Sequence, residues 1–149
     1  MKRNTRIVAA VIASIASAIL AASTLCTWAI ANGASMRWRL LFRMLCHGIP
    51  NRCIELWHVP MPICARCTAI YGGFLAGILL FIMLPRIQEM TARWILGLAA
   101  LPIFLDGITQ LARLRESTNP LRIETGLIAG AAFALWALSE VESHVLSTA

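Results

Sequence analysis

All but one of the five cysteines lie within one short stretch, in motifs whose residue types suit a metal ion. The first motif is the adjacent pair Cys46-His47, and the second is Cys64-x-x-Cys67. Thiolate and imidazole ligands suit zinc or iron, and the two-residue spacing lets both sulfurs of the second motif reach one ion. The sequence therefore predicts a site for zinc, with iron as the alternative, whose ligands are Cys46, His47, Cys64 and Cys67.

Two features leave other interpretations of these motifs open. Because the residues of the first motif are adjacent rather than spaced, His58 or Cys53 could replace the histidine as the fourth ligand. The second motif also suits redox chemistry, since two thiols at a helix N-terminus with Arg66 between them are expected to have a lowered pKa. The third interpretation is an ordinary buried thiol, which we adopt for Cys26 inside an apolar run.

A second polar group falls at or just inside another apolar run. Asp106 and Gln110 are four residues apart, so they share one face of a helix. A carboxylate at this depth is costly, which favours either a function or a charged partner. We expect Asp106 and Glu116 to transfer protons. An ion pair between Asp106 and Arg113 or Arg122 is the purely structural alternative.

Arginines are concentrated around these polar residues. A guanidinium binds phosphate or carboxylate through forked hydrogen bonds, and a lipid phosphate is the most available such anion beside a membrane. Alternatively, the polar residues 117–119 cap the helix that follows. The residues predicted to bind the anion are Arg66, Gln110, Arg115, Asn119 and Arg122.

The amino-acid composition indicates which kind of structural element holds these polar residues in place. Of the 149 residues, 59% are hydrophobic and 13% are charged, and the mean hydropathy is +0.75. Soluble domains carry about 45–50% apolar and about 25% charged residues. The sequence therefore predicts a single all-α domain that is integral to the plasma (inner) membrane, with the lipid bilayer as its partner. The formal net charge of +6 suits anionic headgroups or phosphorylated small molecules, and no pattern typical of nucleic-acid binding is present.

The apolar runs predict about four transmembrane helices. A run of about 20 apolar residues crosses the bilayer core. The predicted spans are approximately residues 7–31, 68–84, 94–111 and 123–138. An amphipathic or interfacial segment over residues 36–45 and a Cys/His loop over residues 46–67 connect the first two spans. Three spans after a cleaved signal peptide are the alternative, which the length of the first run disfavours.

Four spans place the polar groups on one side of the membrane. The cysteine loop precedes the second span, and the third span returns the chain to the same side, so the Cys-x-x-Cys motif and Asp106 share a face. The basic N-terminus favours an external position for that face, whereas the count of all basic residues favours the cytoplasm. We favour the cytoplasm, where thiols stay reduced.

Five motifs, in order along the chain, resemble those of a family of small prokaryotic membrane proteins catalogued as domain of unknown function 2085. They occupy residues 46–52, 62–71, 106–110, 115–119 and 122–126, and the resemblance covers about residues 40–130. In the redox interpretation Cys46 and Cys53 would be a second pair that communicates with Cys64 and Cys67. Cys53 departs from the family, which more often has serine there, and this weakens the case for that second pair. The family has no established activity. The resemblance implies a shared site of Cys46, His47, Cys64, Cys67, Asp106, Gln110, Arg115, Glu116, Asn119 and Arg122.

Three functions follow from these features. The preferred hypothesis is a multi-pass membrane protein that has a metal site and binds an anionic lipid-like or phosphorylated ligand. If the protein is an enzyme, it would also modify that ligand. The second is a quinone-linked thiol–disulfide oxidoreductase using Cys64 and Cys67, which rests on architectural similarity to quinone-linked disulfide-forming enzymes. The third is a non-catalytic membrane scaffold stapled by zinc. The sequence does not decide between an enzyme and a binding protein.

Overall fold

The structure, a computed structural model, describes residues 3–84, 87–112 and 117–147. Within this part of the chain, four helices are long and apolar enough to cross a membrane. This confirms the predicted all-α membrane bundle with a cysteine-rich connection between its first two helices. The helices are α1 (Arg3–Ala31), α2 (Ala65–Met83), α3 (Glu89–Leu111) and α4 (Asn119–Ser147).

The helices extend beyond several of the apolar runs that predicted them. α1 begins at Arg3 rather than residue 7, and α4 continues to Ser147 rather than ending at residue 138. Hydropathy marks only the part of a helix inside the hydrocarbon, whereas backbone hydrogen bonding continues through polar residues at the interface. α4 is the central helix, because 44% of its apolar window is buried against 11–22% in the other three.

Small residues let α2 and α4 pack closely. A Cβ atom added at Gly73 would lie 2.4 Å from the Leu127 carbonyl oxygen, and one added at Gly130 would lie 2.3 Å from the Ile70 carbonyl oxygen. Only glycine therefore permits the two backbones to approach this closely, as expected for small-residue spacing in membrane helices. The contact fixes the start of α2 relative to the start of α4, where the polar groups lie.

The connection between α1 and α2 is structured rather than loop-like. A nine-residue 3-10 helix (Met36–Met44) occupies the predicted amphipathic segment. It is followed by a short 3-10 turn (Pro50–Arg52) and an antiparallel hairpin of β1 (Cys53–Leu56) and β2 (Val59–Cys64). The prediction of a loop over residues 46–67 is wrong for these two strands. It took the prolines as loop signals, but both strands of a two-stranded sheet are edge strands, where proline is tolerated.

Buried apolar side chains hold the hairpin against the helices. Phe42, Met61 and Ile63 form a buried cluster with Cys46, and part of α1 and α2 packs against it. Ile63 is fully buried. This cluster connects the 3-10 helix, β2 and the start of α2, and so it places Cys46, which follows the 3-10 helix, near Cys64 and Cys67.

We predict that Gly130→Ala destabilises the bundle by about 1–3 kcal/mol, because its methyl group would meet the Ile70 backbone. Thermal unfolding in detergent, followed by circular dichroism, measures the effect. Gly97→Ala is the matched control, since a Cβ atom there meets nothing within 4 Å among the described residues. Equal stability of the two variants would contradict the close α2–α4 contact.

Candidate metal centre

Three thiols converge where β2 passes into α2. The Sγ atoms of Cys46, Cys64 and Cys67 all lie within 4.8 Å of one another. Sulfurs bound tetrahedrally to one zinc ion, at about 2.3 Å each, lie about 3.8 Å apart. The thiols are therefore near the spacing that one ion requires. Cys46 is buried, and Cys64 and Cys67 are half-buried.

Local backbone geometry brings Cys46 to the other two cysteines. Gly48 has a φ of +57°, and a Cβ atom there would lie 2.6 Å from the Pro62 carbonyl oxygen, so glycine allows this loop to lie against β2. The backbone N–H of Cys64 donates a hydrogen bond to the Cys46 sulfur at 3.2 Å. Such a donor stabilises a thiolate, the form of cysteine that binds metals.

Electrostatics distinguish Cys64 from Cys53, its partner across the hairpin. The hydrogen bond with the Cys67 thiol lowers the pKa of Cys64, with help from backbone N–H groups at the start of α2 and against the opposing effect of burial. Burial raises the pKa of Cys53 to about 11. The Cys53 thiol also donates to the Ile49 carbonyl oxygen at 3.1 Å. Cys64 is therefore the thiol suited to metal binding or reaction, and Cys53 is a structural one.

The histidines do not join the thiols. His47 is exposed and is absent from the group of three ligand atoms, although it borders the same cavity. His58 lies in the exposed turn between β1 and β2. The structure thus brings together three of the four predicted ligands and leaves the fourth position without a protein ligand among the described residues.

A polar group on α2 and α3 lies beside the thiols. Arg66, between the two cysteines of the Cys-x-x-Cys motif, forms an ion pair with Asp106 of α3. The Asp106 side chain is buried, and Gln110 donates to its Oδ2 atom at 2.8 Å. The structural alternative in the sequence analysis paired this carboxylate with Arg113 or Arg122. The ion pair that the structure shows is with Arg66 of α2, and Arg113 lies outside the described residues.

The start of α4 supplies a second arginine and an amide. Arg122 is only 5% exposed, and its Nη1 atom donates to the Asn119 side-chain oxygen at 3.0 Å. The amide nitrogen of Asn119 donates in turn to the Cys53 carbonyl oxygen at 3.4 Å. α4 is thereby attached to the hairpin. Two further predicted site residues, Arg115 and Glu116, lie outside the described residues.

One cavity of about 350 Å³ connects the thiols with the arginines. The Nε atom of Arg66 is buried and has no hydrogen-bond partner among the described residues. Arg52 also borders the cavity, and the sequence analysis missed it as an anion-binding residue. Its place in the family motif at residues 46–52 was the available signal. The walls include Cys46, His47, Arg52, Cys64, Arg66, Cys67, Gln110 and Arg122.

Comparison with known proteins covers the same region. The profile of a family described as "Predicted membrane protein (DUF2085)" matches residues 46–136. An uncharacterized protein of Methanocaldococcus jannaschii is 38% identical over 92 residues, which are 60% of this chain and 59% of that protein. An uncharacterized protein of Methanothermobacter thermautotrophicus is 39% identical over 105 residues, 70% of this chain and 93% of that protein. No solved structure matches the chain significantly.

The chain therefore spans about three fifths of the length of the Methanocaldococcus relative, but nearly all of the Methanothermobacter one. Neither relative has a name that states an activity. The profile match begins at Cys46 and includes every thiol of the group and every arginine of the cavity. The region of similarity and the region of the site thus coincide.

We predict that iodoacetamide modifies Cys64 at least about tenfold faster than Cys53 at pH 7 in metal-free protein, because alkylation requires the thiolate. Above its lowered pKa, Cys64 is already a thiolate, so its rate stays flat from pH 7 to 9. The rate at Cys53 rises about tenfold per pH unit, because this range lies below its raised pKa. Peptide mass spectrometry measures both rates. Equal rates would contradict the assignment.

Proposed function

Because the chain belongs to the DUF2085 family of predicted membrane proteins, and the matched region contains both the thiols and the arginines, we propose that it is a membrane metal-site protein that binds an anionic ligand. The ligand is lipid-like or phosphorylated. The observation that carries the proposal is that one cavity is bordered by three grouped thiols and by three arginines.

The thiols supply the metal site. Cys46, Cys64 and Cys67 would hold zinc or iron, since sulfur ligands suit both ions. Three protein ligands and one open coordination position are typical of sites where the metal also binds water or a substrate. Structural zinc sites instead have four protein ligands. His47 borders the cavity and is the residue that would occupy the fourth position when no external ligand is bound.

The arginines supply the anion site. Arg122 is buried, and it lies within electrostatic range of Arg52 and Arg66, whose positive charges disfavour one another. An anion in the cavity relieves this repulsion and gains charge-assisted hydrogen bonds. A volume of about 350 Å³ is at the lower end for small-molecule sites, which suits a headgroup or small metabolite rather than a whole lipid.

Asp106 has a positioning role in this proposal. Its carboxylate forms an ion pair with Arg66 and accepts a hydrogen bond from Gln110. That arrangement orients the Arg66 guanidinium at the cavity wall. We therefore replace proton transfer, the role that the sequence suggested for Asp106, with orientation of Arg66.

One observation also favours the thiol–disulfide oxidoreductase. The Cys64 and Cys67 sulfurs lie within 4.8 Å of each other at the start of α2, and interaction with the Cys67 thiol lowers the pKa of Cys64. This is typical of a reactive Cys-x-x-Cys pair. The third thiol favours the metal site, because a dithiol enzyme needs only two sulfurs. That third thiol, Cys46, accepts a hydrogen bond from the Cys64 backbone N–H and so lies directly beside the pair.

We predict about one zinc or iron ion per chain in protein purified in detergent without chelator or metal-affinity resin. Cys64→Ser should lose the ion, because two thiols remain. Cys26→Ser is the control and should retain it, since Cys26 is outside the thiol group. Plasma mass spectrometry and a free-thiol count measure both. Metal-free protein with a Cys64–Cys67 disulfide would contradict the metal site and make the oxidoreductase the preferred function.

We also predict that Arg122→Gln weakens binding of a short-chain phosphatidic acid about tenfold or more, because a buried charge-assisted hydrogen bond is lost. Calorimetric titration in detergent measures the affinity. The bound metal should be unchanged, and Arg93→Gln, whose guanidinium pairs with Glu140 on α4, is the control. If the protein binds metal but neither the unchanged chain nor the Arg122→Gln variant binds the lipid, only the zinc-stapled scaffold would remain as a hypothesis.

A further inference from the structure

A second basic feature lies on the other side of the Cys46–Gly48 loop and is not used by the proposed function. It is the 3-10 helix Met36–Met44, which contains Arg37, Arg39 and Arg43 and no acidic residue. A segment with three positive charges and no compensating negative charge attracts anionic surfaces.

The apolar residues of this 3-10 helix are exposed rather than packed. Phe42 is its one buried residue, while Leu41 is 67% exposed and Met44 is 94% exposed. Trp38 is 57% exposed. Alternating arginines and exposed large apolar residues, placed just after the end of a transmembrane helix, are typical of a segment lying in the headgroup region.

A separate cavity of about 220 Å³ opens beside this helix. Its walls include Arg39 and Arg43 together with the apolar Met36 and Leu40. It therefore combines two cations with apolar side chains. A phospholipid has the complementary features, an anionic phosphate joined to hydrocarbon chains.

One of the two cations is held in place by the protein. The Nη2 atom of Arg39 donates to the carbonyl oxygens of Gly48 and Met61, each at 3.1 Å. Its Nε atom is buried and has no hydrogen-bond partner among the residues that the structure describes. The guanidinium is thus fixed before any ligand arrives, which reduces the entropy lost on binding.

We propose that this cavity is a headgroup site for an anionic phospholipid. The lipid phosphodiester lies between Arg39 and Arg43, and its acyl chains pass Met36 and Leu40 into the bilayer. The exposed apolar residues commit the site to a lipid rather than to free phosphate, because a free anion gains nothing from them. The two cavities share Cys46, His47 and Gly48 as a common wall but have no arginine in common. The cations of this site are therefore separate from those of the proposed anion site.

The test uses the full chain in detergent, titrated with a short-chain phosphatidylglycerol by calorimetry. Arg43→Gln should weaken binding about tenfold, through loss of one charge-assisted contact. Arg37→Gln is the matched control, because it removes the same charge from the same helix but Arg37 does not border the cavity; less than a twofold change is expected. Phosphatidylcholine of the same chain length should bind about tenfold more weakly.

Three results would overturn the proposal. Equal weakening by both variants would show only general attraction to a basic segment. Displacement of the lipid by millimolar inorganic phosphate would show a site for the free anion. Equal affinity for phosphatidylcholine would show no preference for anionic lipid. Bound metal, measured in the same Arg43→Gln protein, should be unchanged, so failure here is distinguishable from failure of the metal–anion proposal.

Discussion

The site depends on one ion pair that joins two transmembrane helices, Arg66 of α2 with Asp106 of α3. Among the described residues of α3, the buried ones are Ala92, Ala99 and Asp106, so the carboxylate is the one buried charged group of that helix. A buried charge without its partner is strongly unfavourable. The pair therefore determines how the end of α3 is placed relative to the start of α2, and with it one wall of the cavity.

The same ion pair connects the thiols of the site with its arginines, because Arg66 lies between the cysteines of the Cys-x-x-Cys motif. A shift of Arg66 would move the first turn of α2, which carries Cys67 and follows Cys64. Close packing restricts that shift further, since Gly130 of α4 lies directly against Ile70 in the next turn. Thiol spacing and arginine position are thus properties of one rigid junction between three helices.

Hydropathy predicted the helices because the bilayer allows few alternatives: a long apolar run there must be helical. Residue spacing predicted the Cys-x-x-Cys motif for a similarly local reason. The hairpin was not predictable from turn residues, because its turn is Trp57-His58, with φ values of +52° and +61° that glycine or asparagine usually supplies. The partner of Asp106 was also missed, because it depends on the rotation of two helices about their axes, which sequence spacing within one helix does not determine.

Under the function we propose, charge accounts for the presence of thiols and arginines in one cavity. Three thiolates around a divalent ion would leave one negative charge beside a low-dielectric bilayer, and a neighbouring positive charge would offset its cost. Arg66 is already paired with Asp106, which leaves Arg52 and Arg122 as the cavity arginines that would balance the proposed metal site. One of these two charges would then be in excess among the described residues. A ligand with a single anionic group would neutralise it, so in this proposal the metal site and the anion site would each make the other electrostatically favourable.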